Sequence, residues 1–378
     1  MIPLSSPDIT EAEIEAVTAV LRTNSLSLGP KLEQFEQAFA SFHATPYAIA
    51  VSSGTAALHL AIRALNLGAG DEVIVPSFTF IAVANAVVYE GATPIFADID
   101  PVTLNITADS VAAVISPRTR AILVVHTFGV PADMDSLMAL AQQHRLAIVE
   151  DACEAIGATY NQQLAGAFGH IATFAFYPNK QITTGEGGMI LTRDPQLAGR
   201  VRALRNQGRY PSSNWLQHQE IGYNYRLSEL ACALGIVQLQ RLPEILAQRA
   251  LVAQTYDQLL ANMPDFERPP LHLPNRTISW FVYVVRMAKH LPPNTRDTVL
   301  AALESAGIGC ARYFAPIHRQ PAYAQHPSAR NINLPVTEDI AVRTLALPFY
   351  NRLTPADAKK IMRNLRGAAT AGRDTIDL

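Results

Sequence analysis

A single lysine stands between a Pro-Asn pair and a glycine-rich run in "FYPNKQITTGEGG", Phe176 to Gly188. The order is wrong for a phosphate loop, in which glycines precede the lysine and Ser or Thr follows it. Here Gln181 follows Lys180 and the glycines come later. The flanking "IATFAF" and "GGMILT" read as strands, so Lys180 occupies a short polar turn between two apolar strands. An amine held near an interior can lose its proton and become a nucleophile. Small glycines after it would let a ligand approach closely.

Other chemistry-bearing residues fall directly after candidate strands, where open α/β sheets gather their ligands. "LAIVED" ends in Asp151, which either faces the crevice or caps a following helix. "AIAVSSGTAALHLA" runs from a strand through Ser53-Gly54-Thr55-Ala56 into a helix, and free N–H groups at that helix start would suit a phosphate. "SFTF" offers an aromatic face in Phe80. His126 ends another strand and either lines the site or is a satisfied buried histidine. A nucleophilic lysine, an acid, an aromatic plate and a helix-end phosphate site together match pyridoxal 5'-phosphate (PLP). Its aldehyde bonds a lysine, its ring nitrogen needs an acid, and its phosphate wants a helix N-terminus.

The elements that must position these residues alternate along the first two thirds of the chain. Candidate strands are Tyr47–Ser52, Glu72–Pro76, Pro94–Asp98, Ala121–His126 and Leu146–Asp151, with helical patterns "TAALHLAIRAL", "FIAVANAVVY" and "MDSLMALAQQH" between them. Strands apolar throughout and separated by helices imply a mainly parallel sheet covered on both faces. One long helix is expected from about Ser228 to Leu260. The fold class is α/β: a large domain over residues 1–250 with a mainly parallel mixed sheet, and a smaller α+β domain over residues 251–378.

Composition narrows the function classes. The 378 residues carry a formal charge of −2 with no basic run, which argues against a nucleic-acid partner. The three cysteines, Cys153, Cys232 and Cys310, are far apart, with neither metal-type spacing nor a disulfide framework, so no metal and a reducing cytoplasm are expected. The start "MIPLSSPDITEAEIEAV" carries acids where a signal peptide needs basic and apolar residues. The longest uncharged apolar stretch, "VIVPSFTFIAVANAVVY", is interrupted by Pro76, Ser77, Thr79 and Asn85, so no membrane span is read.

Nearly the whole chain resembles the DegT/DnrJ/EryC1/StrS sugar aminotransferases, within the fold-type-I PLP enzymes. The resemblance is carried in order by "LGPKLEQFEQAFASF", "VSSGTAALHLAIRAL", "GDEVIVPSFTFIAVANAV", "FADIDPVTLNI", "VVHTFGVPADMD", "VEDACEAIGA", "FYPNKQITTGEGGMI", "GYNYRLSEL" and "FAPIHRQPAY". It implies that PLP is bound covalently, as an internal aldimine on Lys180, which also shuttles the proton. It implies that Asp151 pairs with the ring nitrogen, that Gly54, Thr55 and Ala56 hold the phosphate, and that Phe80 stacks. Glu154 occupies a position where the family often has Gln, near the ring hydroxyl. Asn224 would reach the cofactor phosphate of a neighbouring subunit, which implies a homodimer with shared sites. His318 would lie near the sugar, with a structural turn after Pro316 as its alternative. Arg226 would serve the substrate's phosphates or pair with Glu229. One departure is Ala175, where many relatives have a phosphate-binding Ser.

The implied reaction moves an amino group from L-glutamate to a keto sugar on a nucleotide diphosphate. "NKQITTGEGGM" is closer to perosamine-type members that aminate a 4-keto-6-deoxyhexose than to those that aminate a 3-keto sugar. A dehydratase on the same fold replaces the lysine by His, so Lys180 argues against it. A non-catalytic regulatory or binding member would have little reason to keep Lys180, Asp151 and the phosphate turn together. An NAD-dependent enzyme is disfavoured, because no G-x-G-x-x-G follows an early strand. The long polar and aromatic loop Gly208–Gly222 is a candidate for sugar contact.

Overall fold

The computed structural model describes residues 1–374 except 211–213, 215, 293, 330 and 331. Its main sheet is built from β1 (Tyr47–Val51), β2 (Glu72–Pro76), β3 (Thr93–Ala97), β4 (Thr119–Val125) and β5 (Ala147–Asp151). After a short hairpin of β6 (Thr159–Tyr160) and β7 (Gln163–Leu164), β8 (Ile171–Ala175) and β9 (Gly188–Thr192) complete it. The order is β1-β9-β8-β5-β4-β2-β3. Only β9 runs against the rest, pairing antiparallel with both β1 and β8. The mainly parallel sheet read from the sequence is therefore present.

Along β4, Ala121, Leu123 and Val125 enter one hydrophobic core while Ile122 and Val124 enter another. The period-two alternation therefore buries apolar side chains on both faces, as helix-covered parallel strands require. The helices of this unit are α1 (Glu11–Leu21), α2 (Pro30–Phe42), α3 (Gly54–Ala64), α4 (Ala82–Tyr89), α5 (Ala108–Ala112), α6 (Met134–His144), α7 (Pro195–Arg205) and α8 (Glu229–Gln240). Their starts are locally encoded. Ser53, Asp133, Asp194 and Ser228 each accept an amide of the first turn, and Pro195 opens α7.

The single helix expected over 228–260 is two helices, α8 and α9 (Leu242–Leu260), bent by 63°. Pro243 explains the break, since it has no N–H to continue the hydrogen-bond ladder. The expected domain boundary at residue 250 falls inside α9. Leu242 and Ile245 pack into the core beneath the main sheet, whereas Val252, Ala253, Tyr256 and Leu260 pack into a second core. That second core also holds Ile2, the antiparallel sheet of β10 (Phe266–Glu267), β12 (Tyr283–Met287) and β13 (Thr344–Leu347), and helices α10 (Thr295–Ser305) and α12 (Pro355–Asp374). The remaining elements are β11 (Arg276–Thr277), which pairs with β6, and α11 (Pro335–Arg343). Among the described residues, no single helix is long and apolar enough to cross a membrane.

Candidate active site

The start of α3, the end of β8 and the turn after β5 meet at the carboxyl end of the sheet. A Cβ placed on Gly54 would lie 2.6 Å from the Ala175 Cβ and 3.2 Å from the Cys153 Sγ, so only glycine lets these three elements touch. Ser53, in extended backbone, accepts the Ala56 N–H at 3.0 Å and so begins the helix. The N–H groups of Gly54 and Thr55 donate to nothing among the described residues. The Ala56 N–H, expected to join them at the phosphate, is already taken by the Ser53 cap. A helix start with two free amides is an anion site in waiting.

Lys180 rides a turn closed by its own N–H on the Tyr177 carbonyl, at 2.9 Å. The next residue clamps the turn from below: the Gln181 amide donates to the Glu154 carbonyl at 2.7 Å and to the Ser279 Oγ at 2.9 Å. The Lys180 side chain is 14% exposed, and its Nζ lies 3.6 Å from Glu154 Oε1. Below it, the ring of Phe281 presents its face at 4.0 Å from Nζ to centroid, a cation–π contact. Phe281 is fixed by Arg249 of α9, whose guanidinium donates to the carbonyls of Trp280 at 2.8 Å and Phe281 at 3.0 Å. Burial lowers the Arg249 pKa to about 10.

Glu154 Oε2 accepts the Phe128 N–H at 2.9 Å. Burial raises its carboxyl above the ordinary range, against the opposing pull of Lys180 and the Phe128 amide. Asp151 ends β5 and accepts the Cys153 N–H at 3.0 Å. The Cys153 thiol is pushed up by burial and by Asp151, so it is no thiolate nucleophile.

Other expected positions are as follows. Phe80 is 61% exposed, with no protein ring stacked on it among the described residues, so its face is open to a ligand. The ring against the amine within the chain is Phe281; Phe128 stacks on Phe314 at 5.3 Å. Nothing in the apolar run "WFVYVVRM" marks Phe281 as the ring beneath the lysine. His126 is the satisfied buried histidine of the two readings: its Nε2 donates to Glu150 Oε2 at 3.0 Å and its Nδ1 accepts the Ala132 N–H at 3.1 Å. His318 is buried, with one ring nitrogen 2.7 Å from Ser77 Oγ and the other 3.0 Å from Glu338 Oε1, so both are engaged within the chain.

Arg226 does not pair with Glu229; its Nη1 donates to Asn206 Oδ1 at 2.9 Å. Glu229 instead caps α2, accepting the amides of Gly29, Lys31 and Leu32. Asn224 is exposed. In the Gly208–Gly222 loop, residues 211–213 and 215 lie outside the described residues.

Of the glycines after Lys180, Gly188 serves the chain itself. A Cβ on Gly188 would come within 2.5 Å of the Ser53 carbonyl oxygen and 2.9 Å of that of Phe174, so β9 lies directly against the turn before α3. The close approach expected of a ligand is, at Gly188, made by the protein's own backbone.

The amine, the acid ending β5, the two free amides and the aromatic face fit pyridoxal phosphate in number and kind. With its single reversed strand, the sheet defines the chain as a PLP-dependent transferase of fold type I. The chain belongs to the DegT/DnrJ/EryC1/StrS aminotransferase family, which it matches over residues 7–366, and it is an aminotransferase. It is 41% identical over 366 residues to the GDP-perosamine synthase of Caulobacter vibrioides, covering 96% of this chain and 97% of that one. It is similar to the crystal structure of the aminotransferase TlmJ from Streptoalloteichus hindustanus, with a TM-score of 0.92, 34% identity, and coverage of 98% and 99%. Spr1654 of Streptococcus pneumoniae, solved in PLP and PMP forms, is 26% identical; its PLP form matches with a TM-score of 0.91 over 98% of this chain and 99% of that one.

Proposed function

We propose that this chain moves an amino group from L-glutamate to a 4-keto-6-deoxyhexose carried on a nucleotide diphosphate, with PLP held on Lys180. The observation that carries the reading is the Lys180 amine, held 3.6 Å from Glu154 and over the Phe281 ring, on the loop joining β8 to β9. When bound, PLP supplies an aldehyde that takes up amines and a ring that accepts the electron pair left at the donor's α-carbon. The free amides of Gly54 and Thr55 would hold its phosphate, with Ala56 acting through the Ser53 cap. Asp151 would keep the proton on the ring nitrogen, and Glu154 would face the ring hydroxyl. Once released, the Lys180 Nζ would take the proton from the donor's α-carbon and return it to the carbon that was the cofactor's aldehyde, as a positioned base must.

Phe80, exposed at the crevice, would cover the ring face. Asn224 would reach the phosphate of a neighbouring copy in a homodimer. Arg226 would meet the sugar nucleotide's diphosphate. His318, engaged at both nitrogens, would hold the segment that borders the sugar. The 41% identity to a GDP-perosamine synthase supports the 4-keto sugar over a 3-keto one. The reaction is placed in the cytoplasm; no single helix among the described residues is long and apolar enough to cross a membrane.

An absorbance spectrum of the purified protein tests this directly. A visible band that moves to the near-ultraviolet on adding L-glutamate is expected, and Lys180→Ala should lose the band. No band after adding PLP overturns the cofactor assignment. A band indifferent to glutamate overturns the donor.

A further inference from the structure

Behind the phosphate turn lies a closed ring of polar side chains for which the proposed reaction has no step. Glu90, at the end of α4, has a side chain only 6% exposed. Its Oε1 accepts from His59 Nε2 at 2.7 Å and from the Tyr223 hydroxyl at 3.0 Å, and its Oε2 accepts from Arg63 at 2.9 Å. A carboxylate can only accept, so the His59 Nε2 carries the proton of that contact. The Tyr225 hydroxyl lies 3.1 Å from His59 Nδ1, within hydrogen-bond distance. The Tyr225 carbonyl then accepts the Ser52 N–H at 2.9 Å. Ser52 leads into Ser53, Gly54 and Thr55, and His59 lies on the same helix, so the chain of contacts returns to its start.

The segment 223–225 is stiff. The rings of Tyr223 and Tyr225 stack at 5.0 Å and 11°. The Tyr223 N–H donates to the Leu204 carbonyl at 2.7 Å, and the Tyr225 N–H to that of Arg205 at 3.0 Å. Asn224, between them, is left exposed.

We propose that Glu90, His59 and Tyr225 are positioning residues of the phosphate site, fixing the start of α3 against segment 223–225 so that the Gly54 and Thr55 amides converge on one anion. The inference rests on the PLP reading above. None of the three touches the cofactor; they act through Ser52. A buried, fully partnered network resists local displacement, and removing one hydroxyl from it loosens the groups it orients.

The test compares PLP with pyridoxal, which lacks the phosphate, in wild type, Tyr225→Phe and Glu90→Gln. Dissociation constants are read from the visible absorbance, and inorganic phosphate is the competitor. Tyr225→Phe keeps the ring stack and removes one hydroxyl. It should weaken PLP about five- to tenfold, the scale of one hydrogen bond, weaken inorganic phosphate in parallel, and leave pyridoxal unchanged. Glu90→Gln should act in the same direction; if it fails to fold, Tyr225→Phe decides alone. Equal weakening of PLP and pyridoxal, or no change in either, overturns the proposal as a merely structural role. Wild-type protein that binds neither aldehyde overturns the cofactor reading first, and the inference with it.

Discussion

Replacing His43 by phenylalanine should flatten the acid sensitivity of this fold. His43 follows α2, is 2% exposed, and stacks on Phe39 at 4.5 Å and 25°. Its Nδ1 donates to the Phe39 carbonyl at 3.2 Å, since a carbonyl can only accept. Its Nε2 is buried with no partner among the described residues. A second proton would therefore place a charge where no acceptor waits. Burial accordingly lowers its pKa from 6.5 to about 4, only partly offset by the Phe39 carbonyl and the charge of Glu150.

The sign follows. At pH 7.5 the ring is neutral folded and unfolded, and contributes nothing to pH dependence. As the pH falls through 6.5, the unfolded chain takes up a proton that the folded chain refuses, so stability declines until about pH 4. At pH 5 the loss is about 2 kcal/mol, and when complete about 3 kcal/mol. Phenylalanine keeps the stack, and the His43 backbone N–H still serves the Phe39 carbonyl at 3.2 Å. It also removes an unpartnered buried nitrogen, so stability at neutral pH should hold or rise. Urea denaturation of both proteins at pH 7.5 and pH 5 gives the double difference, in which all other titrating groups cancel. Wild type should lose about 2 kcal/mol more than His43→Phe over that interval. Equal losses in the two proteins would refute the reasoning.

Further substitutions probe the site and its support. Ala175→Ser puts a hydroxyl beside the free amides of Gly54 and Thr55, and should slow PLP release about fivefold, the scale of one added hydrogen bond; release no slower than wild type counts against a phosphate at that spot. Gly188→Ala drives a methyl to 2.5 Å from the Ser53 carbonyl oxygen, so it should destabilise by about 3 kcal/mol in urea denaturation and weaken PLP as well. Glu150→Gln should destabilise by about 3 kcal/mol, because the new amide turns a donor toward backbone amides that need an acceptor. Glu154→Gln, by contrast, should leave stability within about 1 kcal/mol, since its oxygen still serves the Phe128 amide.

What was legible in the sequence was local. Lys180 and the Gly54 turn each follow a strand and Asp151 ends one; each carries its own signature and lies where the strand pattern put it. The strands themselves were legible because they are apolar on both faces. What escaped came from afar in the chain or from competition between local signals. Phe281 reaches Lys180 from far later in the chain, within the core that holds Ile122 and Val124, and Arg249 of α9 holds it there through two carbonyls. Glu229 caps a helix that begins about two hundred residues earlier, so its helix-face pairing with Arg226 lost to three orphan amides. Helices α1, α2, α7 and α11 were not read as elements, although Thr10 with Glu13, and Asp194 with Pro195, are start signals. The break at Pro243 was visible too, but the apolar periodicity on either side outweighed it.

The segment "VEDACEA" shows where such reading must stop. It offers Glu150, Asp151 and Glu154, and composition cannot tell them apart. Adjacent residues on β5 point to opposite faces, so Glu150 and Asp151 cannot share a role. Glu150 turns inward and accepts from the amides of Gly166, Phe168 and Gly169 as well as from His126; burial alone would push its carboxyl up, yet these donors hold it below the ordinary range. Glu154 is as deeply buried but has one amide and one amine, and its carboxyl is held above that range. Asp151, at the end of its strand, accepts a single amide, that of Cys153. The number of donors converging on each acid, which only the fold decides, makes the first a structural clamp. It leaves Asp151 and Glu154 with few donors of their own, as their proposed roles beside a cofactor require.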